Sequence, residues 1–195
     1  NNRQLQAGDL VLNDSGAEYA YYAADVTRTY PASGRFTEEQ KAIYDVVLAA
    51  QKDAMAAIRP GVPQDEVEKH SARVQAEGLV RLGLLSGDVD KILSDRAYQK
   101  FTVHGVSHWV GLDVHDVGRY RVGSESRKLE PGMVLTVEPG IYIPANMAGV
   151  DSKWWNVGVR IEDVVLVTPS GSECLSCAAP RERAEVEKTV QSGRK

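Results

Sequence analysis

The stretch NVGVRIEDVVLV, residues 156–167, alternates polar and apolar side chains at the period of two that a β-strand imposes. On that period Arg160 and Glu162 share one face, while Asp163 joins Val159, Ile161 and Val165 on the other. A second run, VLTVEPGIYI (134–143), puts Thr136 and Glu138 on one face, and Pro139-Gly140 bends the chain directly after Glu138. Residues 133–143 and 157–167 are therefore expected as strands. Residues 9–30 also read as β-structure. Leu10 and Leu12 alternate with Val11 and Asn13, Asp14 continues the leucine face, and Ser15-Gly16 signals a turn or bulge. The same period then places Tyr19, Tyr21, Ala23, Asp25, Thr27 and Thr29 together.

Two long helices are expected between these strand blocks. Thr37 and Gln40 fit a capping box, and Ile43, Val46, Val47, Ala50 and Ala54 carry an apolar stripe towards about Ile58. Pro60-Gly61 stops that helix. A second runs from about Gln64 to Leu82 with Val67, Val74, Leu79 and Leu82, and Gly83 follows it. A short third helix is expected near Asp88 to Leu93, whereas the glycines of 104–118 exclude a stable helix there. Strands, two long helices and then strands make an α+β fold. Residues 1–180 form one expected domain, and 181–195 a charged tail for which a frayed helix and disorder both remain open.

The composition is that of an ordinary globular chain, with 43% hydrophobic and 26% charged residues. A net charge of −4 gives no electrostatic reason to bind nucleic acid or an anionic membrane, so neither partner is expected. No apolar run approaches the ~20 residues that span a bilayer. The N-terminus NNRQLQAGDLVL carries no targeting pattern, lacks an initiator Met and reads as a chain that starts mid-protein, with a cytoplasmic location expected. Cys174 and Cys177 form a single C-x-x-C, too few for a zinc ribbon, and are expected as two reduced cysteines.

Five metal-grade side chains sit in apolar or glycine-rich surroundings: Asp14 in LVLNDSG, Asp25 in YYAADVTRT, His108 in HGVSHWVGL, Glu138 in VLTVEPG and Glu162 in VGVRIEDVVLV. A buried carboxylate without a partner costs several kcal/mol or more. Any one of these acids has a salt-bridge explanation, but Arg28 and Arg160 cannot neutralise four. Two divalent cations would. Carboxylates with one imidazole suit Mn²⁺, Co²⁺ or Fe²⁺. Two such ions about 3.5–4 Å apart can share a hydroxide and polarise a carbonyl, which is hydrolase chemistry. His104, His108 and His115 lie within twelve residues and point to a shared pocket, although Gly105 rules out H-E-x-x-H. His70, among Glu68, Lys69 and Arg73, reads as a surface residue.

The segments LVLNDSGAEY, YAADVTRTYPASGRFT, HGVSHWVGLDVHDVG, LEPGMVLTVEPGIYI and VGVRIEDVVLV occur in order over about residues 8–170. Together they resemble the catalytic domain of the Xaa-Pro aminopeptidases, pita-bread metallopeptidases related to prolidase and methionine aminopeptidase. The resemblance implies a curved, mainly antiparallel sheet with helices on its outer face. It implies a dinuclear site, usually manganese with Co²⁺, Fe²⁺ or Zn²⁺ possible, held by Asp14, Asp25, His108, Glu138 and Glu162, with Asp25 and Glu162 bridging. A hydroxide shared by both ions would attack the bond between an N-terminal residue and a following proline. Glu138 would shuttle the proton, His115 would hydrogen-bond the carbonyl oxygen, His104 would line the pocket and Arg160 would steady the site. Tyr142 and Trp109 would supply apolar walls, with core packing the stronger expectation for Trp109. The family's catalytic domain begins further upstream, so the N-terminal part of the fold is expected on missing sequence of the same protein or on a second chain. The other expected partners are a peptide with proline at position two and further copies of the chain in a homo-oligomer. Prolidase, which cleaves only dipeptides, is the alternative within the class. A non-catalytic peptide-binding module is the alternative outside it, disfavoured because all five ligand positions match.

Overall fold

The computed structural model describes residues 3–193; the outermost positions of the expected domain and tail, 1–2 and 194–195, lie outside the described residues. Strand β1 (Leu10–Ser15) leads through a short hairpin, β2 (Glu18–Tyr19) and β3 (Tyr22–Ala23), into β4 (Val26–Pro31). Strands β1 and β4 pair antiparallel with Asp14 opposite Thr27 and Leu12 opposite Thr29. The single alternating face expected over 19–29 breaks inside the hairpin. Ala20 and Tyr21 both take positive φ (50° and 67°), so the chain turns there, and Tyr19 and Tyr21 project into solvent. Alternation resumes after the turn, where Asp25, Thr27 and Thr29 are buried. Gly16 permits the hairpin: a Cβ there would lie 1.7 Å from the Ala24 carbonyl oxygen.

Helix α1 (Glu38–Ala57) starts at the expected capping box: the Thr37 side chain accepts from Gln40 N, and the Gln40 side chain accepts from Thr37 N. Helices α2 (Asp65–Arg81) and α3 (Val89–Ser94) follow within a residue or two of the expected bounds. α2 lies so close to α1 that a Cβ on Gly78 would meet both Val46 methyl groups at 2.4 and 2.7 Å. The glycine-rich segment 104–118 forms no helix, and a small hairpin, β5 (Arg121–Val122) and β6 (Glu125–Ser126), comes next.

Each of the two expected C-terminal strand runs is split in two: 133–143 into β7 (Val134–Val137) and β8 (Gly140–Ile143) at Pro139, and 157–167 into β9 (Val157–Arg160) and β10 (Asp163–Thr168) at residues 161–162, followed by β11 (Gly171–Cys174). β8 pairs with β9, and β10 lies between β11 and β7. Every strand pair among the described residues is antiparallel. Segment 106–110 lines up beside β7 through Thr136 N to His108 O (2.9 Å) and Glu138 N to Val106 O (2.8 Å).

One buried cluster joins Ile43, Tyr44 and Val47 of α1 to Leu79 of α2, Ile141 and Ile143 of β8 and Val159 of β9. A second joins Ala54 and Ile58 at the far end of α1 to Trp109, Leu135, Val137 and Val165. α1 thus covers one face of both strand groups, and the opposite face carries the acidic residues. The chain after β11 departs from expectation at the cysteines. The hairpin and the turn after it bring Cys174 and Cys177 to a Cα separation of 5.6 Å, within disulfide range, and they are bonded rather than reduced. Of the two options for the charged tail the structure takes the helix: α4 (Arg183–Ser192), anchored by the buried Val186.

Candidate metal centre

The five acids and histidines singled out in the sequence converge on the side of the sheet away from α1. Donor atoms of Asp14, Asp25 and Glu162 lie within 4.8 Å of one another, as do those of His108, Glu138 and Glu162 and those of Asp25, His108 and His115. Each comes from a strand or from the segment beside one: Asp14 from β1, Asp25 just before β4, His108 beside β7, Glu138 just after β7 and Glu162 between β9 and β10. Asp25 and Glu162 are 7% and 1% exposed, His108 and Glu138 are half-buried, and Asp14 and His115 are open to solvent.

The ring of His108 shows what the cluster lacks. Its Nδ1 donates to the Trp109 carbonyl oxygen at 3.0 Å, which leaves Nε2 as the ring atom turned to the acids. Nε2 is buried without a hydrogen-bond partner, 3.4 Å from Asp25 Oδ2 and 3.2 Å from Glu138 Oε1. A lone pair turned towards two carboxylates needs a positive charge between them. A proton on Nε2 would serve: burial lowers the His108 pKa, but the two carboxylates outweigh it and raise it to about 10. A divalent cation serves better, because it also offsets the remaining acids.

Glu162 has the same deficit. Burial, opposed by a 2.6 Å hydrogen bond from Thr27 Oγ1 and reinforced by Glu138, Asp25 and Asp14, pushes its pKa up to about 8. Burial also acts to raise Asp25, but His108 and hydrogen bonds shared with Asp14 and Glu162 prevail and lower it. This donor set, four carboxylates and one bare imidazole nitrogen, suits hard divalent cations.

Around the donors runs a polar chain. Arg160 Nη2 pairs with Asp14, Nε donates to Thr27 Oγ1 (3.1 Å) and Nη1 to the Tyr142 hydroxyl (3.1 Å). The Tyr142 oxygen lies 2.6 Å from His104 Nε2, and His104 Nδ1 lies 3.6 Å from Glu138. Tyr142 therefore joins Arg160 to His104 through its hydroxyl rather than serving only as an apolar wall. Trp109 is buried in the second cluster and stacks on Tyr120. The His115 ring sits 4.1 Å from that of His108. His70 stays on the surface, bonded to Asp53.

Two contributors were missed from the sequence. Thr27 ties Glu162 to Arg160, and the half-buried Glu68 of α2 accepts from Val106 N at 2.9 Å, steadying the segment that carries His104 and His108. Thr27 was legible only as one residue of a buried face, and Glu68 carried no signal within its charged helix.

Comparison with known proteins shows the family. The family profile "Metallopeptidase family M24" matches residues 1–169. Xaa-Pro aminopeptidase of Haemophilus influenzae is 48% identical over 187 residues, covering 96% of this chain and 43% of the relative. Xaa-Pro dipeptidase of Mus musculus is 43% identical over 215 residues, again covering 96% and 43%. The structure of Pseudomonas aeruginosa aminopeptidase PepP superposes with a TM-score of 0.96 at 51% identity, over 97% of this chain and 43% of that one. The chain spans less than half the length of these relatives. It belongs to metallopeptidase family M24 and has the pita-bread fold of the aminopeptidase P structures.

Proposed function

We propose that the protein is an Xaa-Pro aminopeptidase, hydrolysing the bond between an N-terminal residue and a following proline with the help of two divalent cations, manganese in the first instance. What carries the reading is the buried Nε2 of His108, without a hydrogen-bond partner between Asp25 and Glu138, within a set of four carboxylates of which only Asp14 has an arginine partner. Asp14, Asp25, His108, Glu138 and Glu162 would hold the cations, which when bound would acidify water and polarise the scissile carbonyl.

The remaining roles belong to the chain. Glu138, half-buried and next to His108, takes a proton from the attacking water and passes it to the leaving proline nitrogen. His115, open to solvent beside His108, donates to the carbonyl oxygen as it becomes negative. His104 is held against Glu138 by the Tyr142 hydroxyl and lines the pocket. Arg160 anchors Asp14 and, through Thr27, orients Glu162.

Turnover of Xaa-Pro-Yaa tripeptides beside Xaa-Pro dipeptides tests the substrate. Hydrolysis of dipeptides alone would replace this reading with prolidase, which the likeness to the mouse dipeptidase keeps in view. With Mn²⁺ supplied, Glu138→Ala is expected to lower kcat by about 10²–10⁴. Full activity in that variant would sink the chemistry, and the absence of bound metal and of turnover in the parent would favour a peptide-binding module. A cytoplasmic location and a homo-oligomer belong to the same reading, the latter tested by light scattering after size-exclusion chromatography.

A further inference from the structure

Directly behind the candidate metal centre, on the other face of β4 and β10, lies a polar node that contributes no donor. Its centre is Asp163, 0% exposed. Oδ1 accepts from Arg28 Nη2 (2.8 Å) and Ser176 Oγ (2.6 Å), and Oδ2 from Gln51 Nε2 (3.0 Å) and Arg181 Nη1 (3.0 Å). Both oxygens are fully used.

Arg28 is equally saturated. Nη1 donates to the carbonyl oxygens of Glu162 (2.6 Å) and Thr27 (3.0 Å), Nη2 to Asp163 and to Ala179 O (3.0 Å), and Nε to Pro180 O (3.0 Å). Those are five bonds from the five donors of a guanidinium, a pattern a lysine cannot reproduce. One planar group therefore grips three pieces of backbone: β4 at Thr27, two residues after Asp25, the Glu162 peptide, and segment 179–180. Glu162 N donates to Thr27 O at 3.0 Å, so the gripped carbonyls sit where the backbones bearing Asp25 and Glu162 meet. Residues 176–181 lie outside the family match, which ends at 169. They are tied back to the sheet by Ser176, which also accepts from Val164 N (2.9 Å), and by the Cys174–Cys177 disulfide.

We infer that Arg28, Asp163 and the strap 174–181 are positioning residues of the metal centre, setting the spacing of Glu162 from Asp25 and thereby metal affinity. This rests on the proposed metal site. Conservative loss of outer partners typically weakens metal binding about ten- to a hundredfold.

The test is made in the full-length protein, with Mn²⁺ titrated by calorimetry and by activation of turnover, and with melting temperature recorded for each variant. Arg28→Lys keeps the charge but not the five-way grip, and Ser176→Ala removes a single hydroxyl. Gly78→Ala, which crowds Val46 in the helix layer, serves as the destabilised control. Weaker binding of Mn²⁺ by about tenfold or more in Arg28→Lys is expected, with kcat recovered at excess Mn²⁺. A smaller shift in the same direction is expected for Ser176→Ala, and Gly78→Ala should melt earlier yet bind Mn²⁺ as the parent does. If Arg28→Lys does not fold, Ser176→Ala decides. Variants that melt earlier but bind Mn²⁺ with parental affinity overturn the inference and leave the proposed function intact. A parent that takes up no Mn²⁺, or a Glu162→Gln variant that takes up as much as the parent, overturns both.

Discussion

Glu162 and Asp163 are adjacent, both acidic and both buried, yet the fold treats them in opposite ways. Asp163 is enclosed by two arginines, an amide and a hydroxyl, with each oxygen accepting twice. Glu162 receives one hydroxyl from Thr27 and otherwise faces three more carboxylates, which with its burial push its pKa up to about 8. Burial alone therefore says little about the purpose of an acid. The supply of countercharge separates them: complete around Asp163 on the side of α1, but only Arg160 and the His108 ring for the four carboxylates on the other side.

The contrast can be broken in several places. Asp163→Ala leaves Arg28 and Arg181 buried without their carboxylate and is expected to cost about 3–5 kcal/mol in a urea titration. A loss below about 1 kcal/mol would mean the node is not the structural half of the pair.

Glu162→Gln should do the reverse in metal-free protein. Because the folded pKa of Glu162 lies above its ordinary value of 4.5, its contribution to stability is present at low pH and lost as pH rises towards about 8. The glutamine variant is thus expected to be the more stable one above pH 8, by up to roughly 5 kcal/mol at about 1.4 kcal/mol per pKa unit, and to lose that advantage towards pH 5. Divalent metal should invert the order, since only the parent keeps the donor. A chelated glutamine variant that unfolds like the parent at every pH would remove the claim that Glu162 lacks countercharge.

Scaffold positions sharpen the comparison with smaller effects. Gly78→Ala overpacks the α1–α2 contact and should cost about 1–3 kcal/mol without touching either acid. Arg183→Ala deletes a partly exposed pair with Asp45 at 2.9 Å and should cost less than about 1 kcal/mol in the same titration.

How far the sequence spoke follows the same division. The candidate donors were legible because an acid among valines is conspicuous, and strand alternation correctly parted Glu162 from Asp163. The capping box and the Pro60-Gly61 stop fixed α1 for equally local reasons. What escaped was set by packing at long range. Arg28 read as a candidate partner for the acids of the site, but the alternation that turns Thr27 and Thr29 to the site turns Arg28 to the other face, where Asp163 meets it. The turn at Ala20-Tyr21 has no glycine or asparagine to announce it. The disulfide depends on where β11 ends in space, which a C-x-x-C spacing does not specify. Tyr142 read as apolar surface because its hydroxyl finds partners only once residues 104 and 160 are brought together.

The proposed donors are spread along the chain from Asp14 to Glu162, with helices α1, α2 and α3 in between. During synthesis the first acids leave the ribosome long before the residues that complete their site. Asp14 must wait for Arg160, and Asp25 for Glu162, until β9 and β10 have emerged. A nascent chain halted anywhere before residue 162 has at most Asp14, Asp25, His108 and Glu138 in hand but no closed cage. On the proposed donors the full cage would therefore close only after residue 162 has emerged, and a cation there would act as a late stitch between β1, β4 and the turn from β9 to β10 rather than as a seed for folding.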